Sequence, residues 1–491
     1  MSEIKKTLLK NTSWTFIGTA FMIAAGACSH IIIGNVFGVS NLGIYALALT
    51  IYIAVTPVAL LGLDTALIKY VAQYRRDEKI ISRYLSGGLF IAFLFGILSV
   101  GILFLLTQPI ADFFGMPRLF KALRIISYGL PFFFISKILL CFLNGLKKMK
   151  VYSIFESSRY ILIIVITLIA VFLRDSFFET LWAYPIAEIA ISIGLVIYLW
   201  NRFEFSLRKT FREGIELVVY GWPLVFSRTL GLLAVRLDLL MVAFFLTERE
   251  VGIYAVVVMV ANGMRIFIRP LQMITSPMIT EYYYDNEHVK MQIFVNRVIR
   301  YTFIFYSLLA IIVWGCIALI LSIMYPAKFE YMSSVIPLQI LSIGLIFRSV
   351  VRCVAGTEAQ STGRPKIALY RSLLVLGTNF MLNLILIPKY KLIGAAIATA
   401  ISYIVVFVFS SILRTKLLKI KLELHIWAYS FLIFIFILVG MQFIGVWVNP
   451  LMNTIFFILI YSIIIYFSKL IEPNDLKFLK NLLFTMKNKS L

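Results

Sequence analysis

Long apolar runs separated by short polar joints set the pattern of this chain. At about 20 apolar residues per bilayer crossing, they predict spans near residues 11–34, 42–63, 85–106, 122–145, 152–173, 179–200, 218–246, 251–272, 297–322, 333–356, 366–387, 393–414, 425–448 and 452–471. Outside these fourteen segments only short loops and a basic carboxy-terminal tail remain. The predicted fold class is therefore all-α: a polytopic membrane protein of about 14 transmembrane helices. The first run is longer than the apolar core of a signal peptide and lacks a following small-residue cleavage pattern, so it is expected to stay as the first span.

Composition agrees. Of 491 residues, 61% are hydrophobic and 14% charged, against about 45–50% apolar in soluble proteins. The net charge of +23 does not indicate a nucleic-acid partner, because such a binder clusters its cations on a soluble domain and none is predicted. Topology accounts for the excess better. With the amino terminus inside, the inner loops and tail hold 29 Lys and Arg and the outer loops seven; this asymmetry predicts a multi-pass protein of the inner cell membrane with both termini cytoplasmic. Cys28, Cys141, Cys316 and Cys353 lie far apart in apolar segments, without the spacing of a disulfide framework or a zinc site. They are expected to be small buried hydrophobes. No metal or cofactor is expected.

The chain also repeats itself. Leu42-Gly43-Ile44-Tyr45-Ala46 returns as Val251-Gly252-Ile253-Tyr254-Ala255 at an offset of 209, and Ile126–Leu130 returns as Leu341–Leu345 at an offset of 215. Two six-span lobes, 1–212 and 213–421, followed by two extra helices and the basic tail in 422–491, account for this pattern. Because six is even, the lobes share one orientation, with a pseudo-twofold axis along the membrane normal and a substrate site between them. That is transporter architecture. A polysaccharide polymerase would need an extended catalytic loop, so no enzymatic activity is expected.

The Gly-Ile-Tyr after the first outer loop, Gly221-Trp222-Pro223 opening the seventh span, Gly363-Arg364-Pro365-Lys366 after the tenth, the length and the fourteen spans together resemble the polysaccharide transporter branch of the multidrug/oligosaccharidyl-lipid/polysaccharide exporter superfamily. The resemblance covers essentially the whole chain. It implies a flippase for undecaprenyl-pyrophosphate-linked oligosaccharide, as in O-antigen or capsule assembly, with a V-shaped pair of lobes and alternating access. Its partners would be the lipid-linked oligosaccharide, membrane lipids and a polysaccharide polymerase machinery. Related lipid II flippases typically carry cations in their first two spans; here the first has none and the second reaches only Asp64, which counts against a peptidoglycan-precursor substrate. A drug/cation antiporter of the same superfamily is the alternative, but it would want an acidic cavity.

The interior charges carry the candidate chemistry. Apart from Arg297, Arg300, Lys366, Arg414 and Lys469 at span ends, counted with the inner segments, ten cations fall within spans, Arg124, Lys137, Arg159, Arg228, Arg236, Arg265, Arg269, Arg348, Arg352 and Arg371, against Glu188 and Asp238, with Asp64 and Glu156 near span ends. Charges at such depth normally face a bundle interior or a water-filled cavity. Arg265 with Arg269, and Arg348 with Arg352, are four apart and would share one helical face, forming guanidinium forks suited to pyrophosphate oxygens. Arg228 and Arg236 would form a ladder along the seventh span. With Lys137 these arginines make up the candidate cationic cavity, while Asp238, Glu188 and Asp64 are the candidates for ion coupling. Arg159 and Arg371 are expected to snorkel to the interface. Tyr220 and Trp222 are possible sugar-stacking aromatics. No Gly-x-x-x-x-Gly-Lys-Ser/Thr loop is present, so transport should not draw on nucleotide through a P-loop.

Overall fold

The structure, a computed structural model, describes residues 2–173, 176–200, 211–326, 328–355, 365–418, 423–445, 449–468 and 470. Gly363, Arg364, the inner-loop residues Arg202, Arg208 and Lys209, and the tail from Ile471 lie outside the described residues.

The protein is an all-α multi-pass membrane protein. In chain order its helices are α1 Ser2–Phe37, α2 Val39–Ala59, α3 Leu63–Gln73, α4 Glu78–Phe113, α5 Pro117–Ser127, α6 Leu130–Gly145, α7 Met149–Leu173, α8 Phe177–Leu181 and α9 Ala183–Trp200. They continue as α10 Phe211–Phe245, α11 Glu248–Arg265, α12 Ile268–Tyr284, α13 His288–Met324, α14 Val335–Val350, α15 Pro365–Leu418, α16 Leu424–Ile444 and α17 Pro450–Phe467. A 3₁₀ turn, Phe329–Ser334, enters α14, and a π-helical turn, Val351–Ala355, leaves it.

Among the described residues, ten helices are long and apolar enough to cross a membrane, and eleven if the bent pair α5 and α6 counts as one span. Every expected segment meets a helix, yet the count differs from fourteen. Two expected spans, 366–387 and 393–414, both lie in α15; α1 contributes only the shorter apolar stretch Phe21–Phe37; α10 is not among the ten. Large exposed apolar side chains line α4 from Phe90 to Leu106 and recur on α7 and α17. In water such continuous apolar surface would be a liability; facing acyl chains it is expected.

Local chemistry sets the breaks. Asp77 accepts from the backbone N–H of Ile80 and caps α4. Pro117 opens α5, Pro131 sits at the start of α6, and the two helices meet at 47°. Inside α15, Lys391 takes φ 48° and ψ −127°, just after Pro388, so the element is two helices folded back on each other. Asn379 donates to Thr399 across the fold at 3.1 Å, and Asn383 to Asn379 at 3.0 Å. This reversal falls where the sequence places the outer loop between two spans.

The described helices form two compact units, Lys10–Val256 and, with Met1–Leu9, Val257–Leu491. In the first, α4 packs against α5, α6 and α10, and α9 against α6 and α7. In the second, α14 packs between α13 and α15, while α13 also carries α16 and α17. The core of this second unit is built on Tyr306, Phe347, Phe434 and Tyr461.

Candidate anion-binding site

Two polar clusters are built inside the units, one in each. The first corrects an expectation. Arg159, expected to snorkel, is only 4% exposed: its Nη1 donates to Glu156 at 2.9 Å, its Nη2 donates to the Ser136 hydroxyl at 2.9 Å, and its Nε lies 3.1 Å from Glu188 Oε1. The Nε approach is an ion pair rather than an aligned hydrogen bond. Ser136 in turn donates to Glu188 Oε2 at 3.0 Å. The cluster draws on α6, α7 and α9. Burial of a guanidinium is costly unless it is compensated; here two carboxylates balance the charge, and Glu156 and Ser136 accept from the Nη groups. Lys137, next to Ser136, is half-buried. Arg371, also expected to snorkel, is buried at 8% exposure.

The second cluster lies where α11 and α14 end. Arg265 closes α11, whose last turn is tied by the Tyr306 hydroxyl donating to the Met264 carbonyl at 3.2 Å. Its Nη1 donates to Asn262 at 2.9 Å and its Nη2 to the Tyr403 hydroxyl at 3.0 Å. Arg348, in the last turn of α14, lies over the ring of the same tyrosine, its guanidinium carbon 5.0 Å from the centroid. Both cations thus stand at helix C-termini, where the helix dipole favours positive charge by about 0.3–1 kcal/mol each.

Arg352 follows in the π-helical turn. A π turn takes one residue more than an α turn and frees carbonyls from the helical ladder; α12 receives them, Gln272 donating to the Arg352 carbonyl at 2.8 Å and Thr275 to that of Cys353 at 2.8 Å. Arg348 and Arg352 both lie within the electrostatic reach of Arg265. Among the described residues no carboxylate comes within ion-pair distance of these three arginines.

The expected helical forks therefore do not form as the spacing suggests. Arg265 and Arg269 are separated by the end of α11 and the start of α12, where Pro270 lacks the N–H to continue a helix, and Arg269 is exposed. The π turn breaks the α-helical register between Arg348 and Arg352. Instead, Tyr403 on α15 joins Arg265 to Arg348. Sequence reasoning passed over it as one tyrosine among 25.

The remaining candidates lie in the first unit. Arg236 on α10 is half-buried and close enough to act electrostatically on His30, whose Nδ1 meets the Gly26 carbonyl at 2.8 Å. Asp238 is buried; the side chain of Arg228 lies outside the described residues. Asp64 is buried at the start of α3 and accepts from the Thr65 N–H at 2.8 Å. Tyr220 faces the Lys69 ammonium, 3.8 Å from its ring centroid, and Trp222 is exposed. Cys28, expected to be buried, is exposed.

The model of one protein family, described as polysaccharide biosynthesis protein, matches residues 8–283. The chain belongs to that family. The chain is similar to the uncharacterized membrane protein MJ1068 of Methanocaldococcus jannaschii, with 24% identity over 465 residues, 90% of each chain. It also resembles the probable low-salt glycan biosynthesis flippase Agl15 of Haloferax volcanii, with 26% identity over 239 residues, 47% of this chain and 49% of Agl15. Among solved structures, the lipid II flippase MurJ in an inward closed conformation matches with a TM-score of 0.73 and 16% identity, covering 93% of this chain and 99% of MurJ. At that identity the likeness speaks for the fold alone: this chain and MurJ share an architecture.

Proposed function

We propose that the protein is a flippase that carries polyprenyl-diphosphate-linked oligosaccharide from the cytoplasmic to the outer leaflet, for assembly of a surface polysaccharide, by alternating access and without covalent change to its substrate. One observation carries the reading: Arg265 and Arg348 are joined through Tyr403 in the second unit, with Arg352 in electrostatic reach and no carboxylate in ion-pair range of the three among the described residues. Clustered like charges that lack internal neutralisation are a binding site for an anion supplied from outside. Agl15, named as a glycan flippase, gives the reading its direction.

In this reading the chain crosses the membrane fourteen times with both termini cytoplasmic, as repeats 1–212 and 213–421 followed by two further spans. Arg236, Arg228, Lys137 and Arg269 are the further candidate cations for the substrate anion. Asp238, Asp64 and Glu188 are the candidates for coupling to an ion, the last of them held by Arg159 and Ser136. A drug/cation antiporter would need a carboxylate where the three arginines stand.

Binding tests the reading. Purified protein in detergent should be thermally stabilised by undecaprenyl diphosphate, and Arg265→Gln and Arg348→Gln should each weaken that binding by roughly tenfold or more, as expected for a lost charge-assisted contact. Wild-type affinity in both variants would contradict it.

A further inference from the structure

We propose that Tyr403 is the positioning residue that sets the arginine site for a diphosphate over a monophosphate, an inference that rests on the lipid-diphosphate reading above. Tyr403 is itself buried, at 3% exposure, so it acts through the two half-buried arginines rather than by touching the ligand. Its hydroxyl accepts from Arg265 at 3.0 Å while its ring face carries Arg348 at 5.0 Å. A rigid phenol thus holds one guanidinium at its edge and another on its face.

This arrangement has a consequence for recognition. Each guanidinium is a planar fork that matches the oxygens of one phosphate group. Two forks held apart by an aromatic ring address two phosphates joined through a bridging oxygen. A monophosphate fills one fork and leaves the other cation without its anion.

The tyrosine is fixed in turn by backbone contact. A Cβ on Gly344 would lie 2.7 Å from the Cα of Ala400, so α14 and α15 touch with no side chain between them. Arg348 stands one turn after Gly344, and Tyr403 one turn after Ala400. Close approach through small residues is how membrane helices pack, and here it sets the distance across which Arg348 meets the ring.

The test uses the full chain purified in detergent, titrated with undecaprenyl diphosphate and with undecaprenyl monophosphate, and read by thermal shift. The wild type should prefer the diphosphate by on the order of tenfold. Tyr403→Phe keeps the ring under Arg348 but loses the acceptor for Arg265, so the preference should shrink to roughly threefold. Tyr403→Leu removes both contacts and should abolish the preference while affinity for the monophosphate stays within about twofold. Unliganded melting temperatures show which variants are folded; if the leucine variant does not fold, the phenylalanine variant decides.

An unchanged preference in a folded Tyr403→Phe and Tyr403→Leu pair overturns the inference, as does equal weakening of both lipids, the mark of a merely structural residue. If Arg265→Gln loses the diphosphate while the tyrosine variants keep their preference, only the role of Tyr403 fails. If none of the arginine variants alters binding of either lipid, the lipid-diphosphate reading fails and the inference with it.

Discussion

Gly43 and Gly252 occupy reciprocal positions: a methyl group added at Gly43 would collide with the carbonyl of Glu248, and one added at Gly252 would collide with the carbonyl of Val39. The glycines are 209 residues apart, and so are the two residues whose carbonyls they meet. The glycine of each Gly-Ile-Tyr-Ala motif thus lies on the backbone one turn before the other motif. A reciprocal contact of this kind is what a two-fold related pairing of the two motifs would produce. Both glycines admit no side chain without a backbone shift, and overpacking costs about 1–3 kcal/mol. Gly43→Ala and Gly252→Ala should each lower the melting temperature of the purified protein. Gly101→Ala, where nothing lies within 4 Å, should leave it unchanged or raised; equal behaviour of all three would contradict the contact.

The buried Arg159 cluster makes a separate prediction. Removing one partner of a buried ion pair costs about 3–5 kcal/mol, because the other charge is left uncompensated, whereas replacing both by apolar residues is far milder. Glu188→Leu should therefore be strongly destabilising, and Arg159→Met combined with Glu188→Leu should recover much of the loss in a double-mutant cycle. The measurement is detergent-solubilised melting of the four proteins. A fully stable Glu188→Gln that has lost transport would instead make this carboxylate a functional group.

Arg236 tests the path along α10. It lies far from either end of a 35-residue helix, and a guanidinium at that depth needs water, a counter-charge or a ligand around it. Arg236→Glu should abolish transport with the protein still inserted, Arg236→Ala should reduce it strongly, and Arg236→Lys should retain part of it, keeping the charge but not the fork. The control is Lys290→Gln: Lys290 is exposed and pairs only at the surface with Glu287, 2.6 Å away, so little should change. Normal transport by Arg236→Glu would show that Arg236 takes no part in transport.

Much of the fold is legible in the sequence because hydropathy and helix breakers act locally. The runs meet helices throughout, and the reversal near Lys391 follows Pro388 where an outer loop was expected. The site is only half legible. Arginine spacing implies continuous α-helices, and two local features defeat it: the break between α11 and α12 just before Pro270 and the π turn after Arg348. Tertiary partners are harder still. Glu188 and Arg159 sit on different helices, and only the i, i+3 pair of Glu156 with Arg159 hinted that this arginine had a partner at hand instead of reaching for the interface. Tyr403 meets Arg265 across 138 residues; the small residues Gly344 and Ala400, one turn from Arg348 and Tyr403, were the available signal.

Orientation can be read directly. The concentration of Lys and Arg in alternate loops predicts that reporter fusions after Lys150 and Lys421 face the cytoplasm and those after Asp175 and Asn449 face outward. A cytoplasmic signal at Asp175 would break the fourteen-span topology.

Transport itself is the most direct test of the central claim. The purified protein is reconstituted into vesicles containing a fluorescent undecaprenyl-diphosphate oligosaccharide, with nucleotide omitted, and the fraction reaching the opposite leaflet is followed by quenching or enzymatic trapping. Protein-dependent flipping is expected in the wild type, and its loss in a protein carrying both Arg265→Gln and Arg348→Gln. Flipping that strictly requires ATP, or that survives unchanged without the two arginines, would contradict the claim.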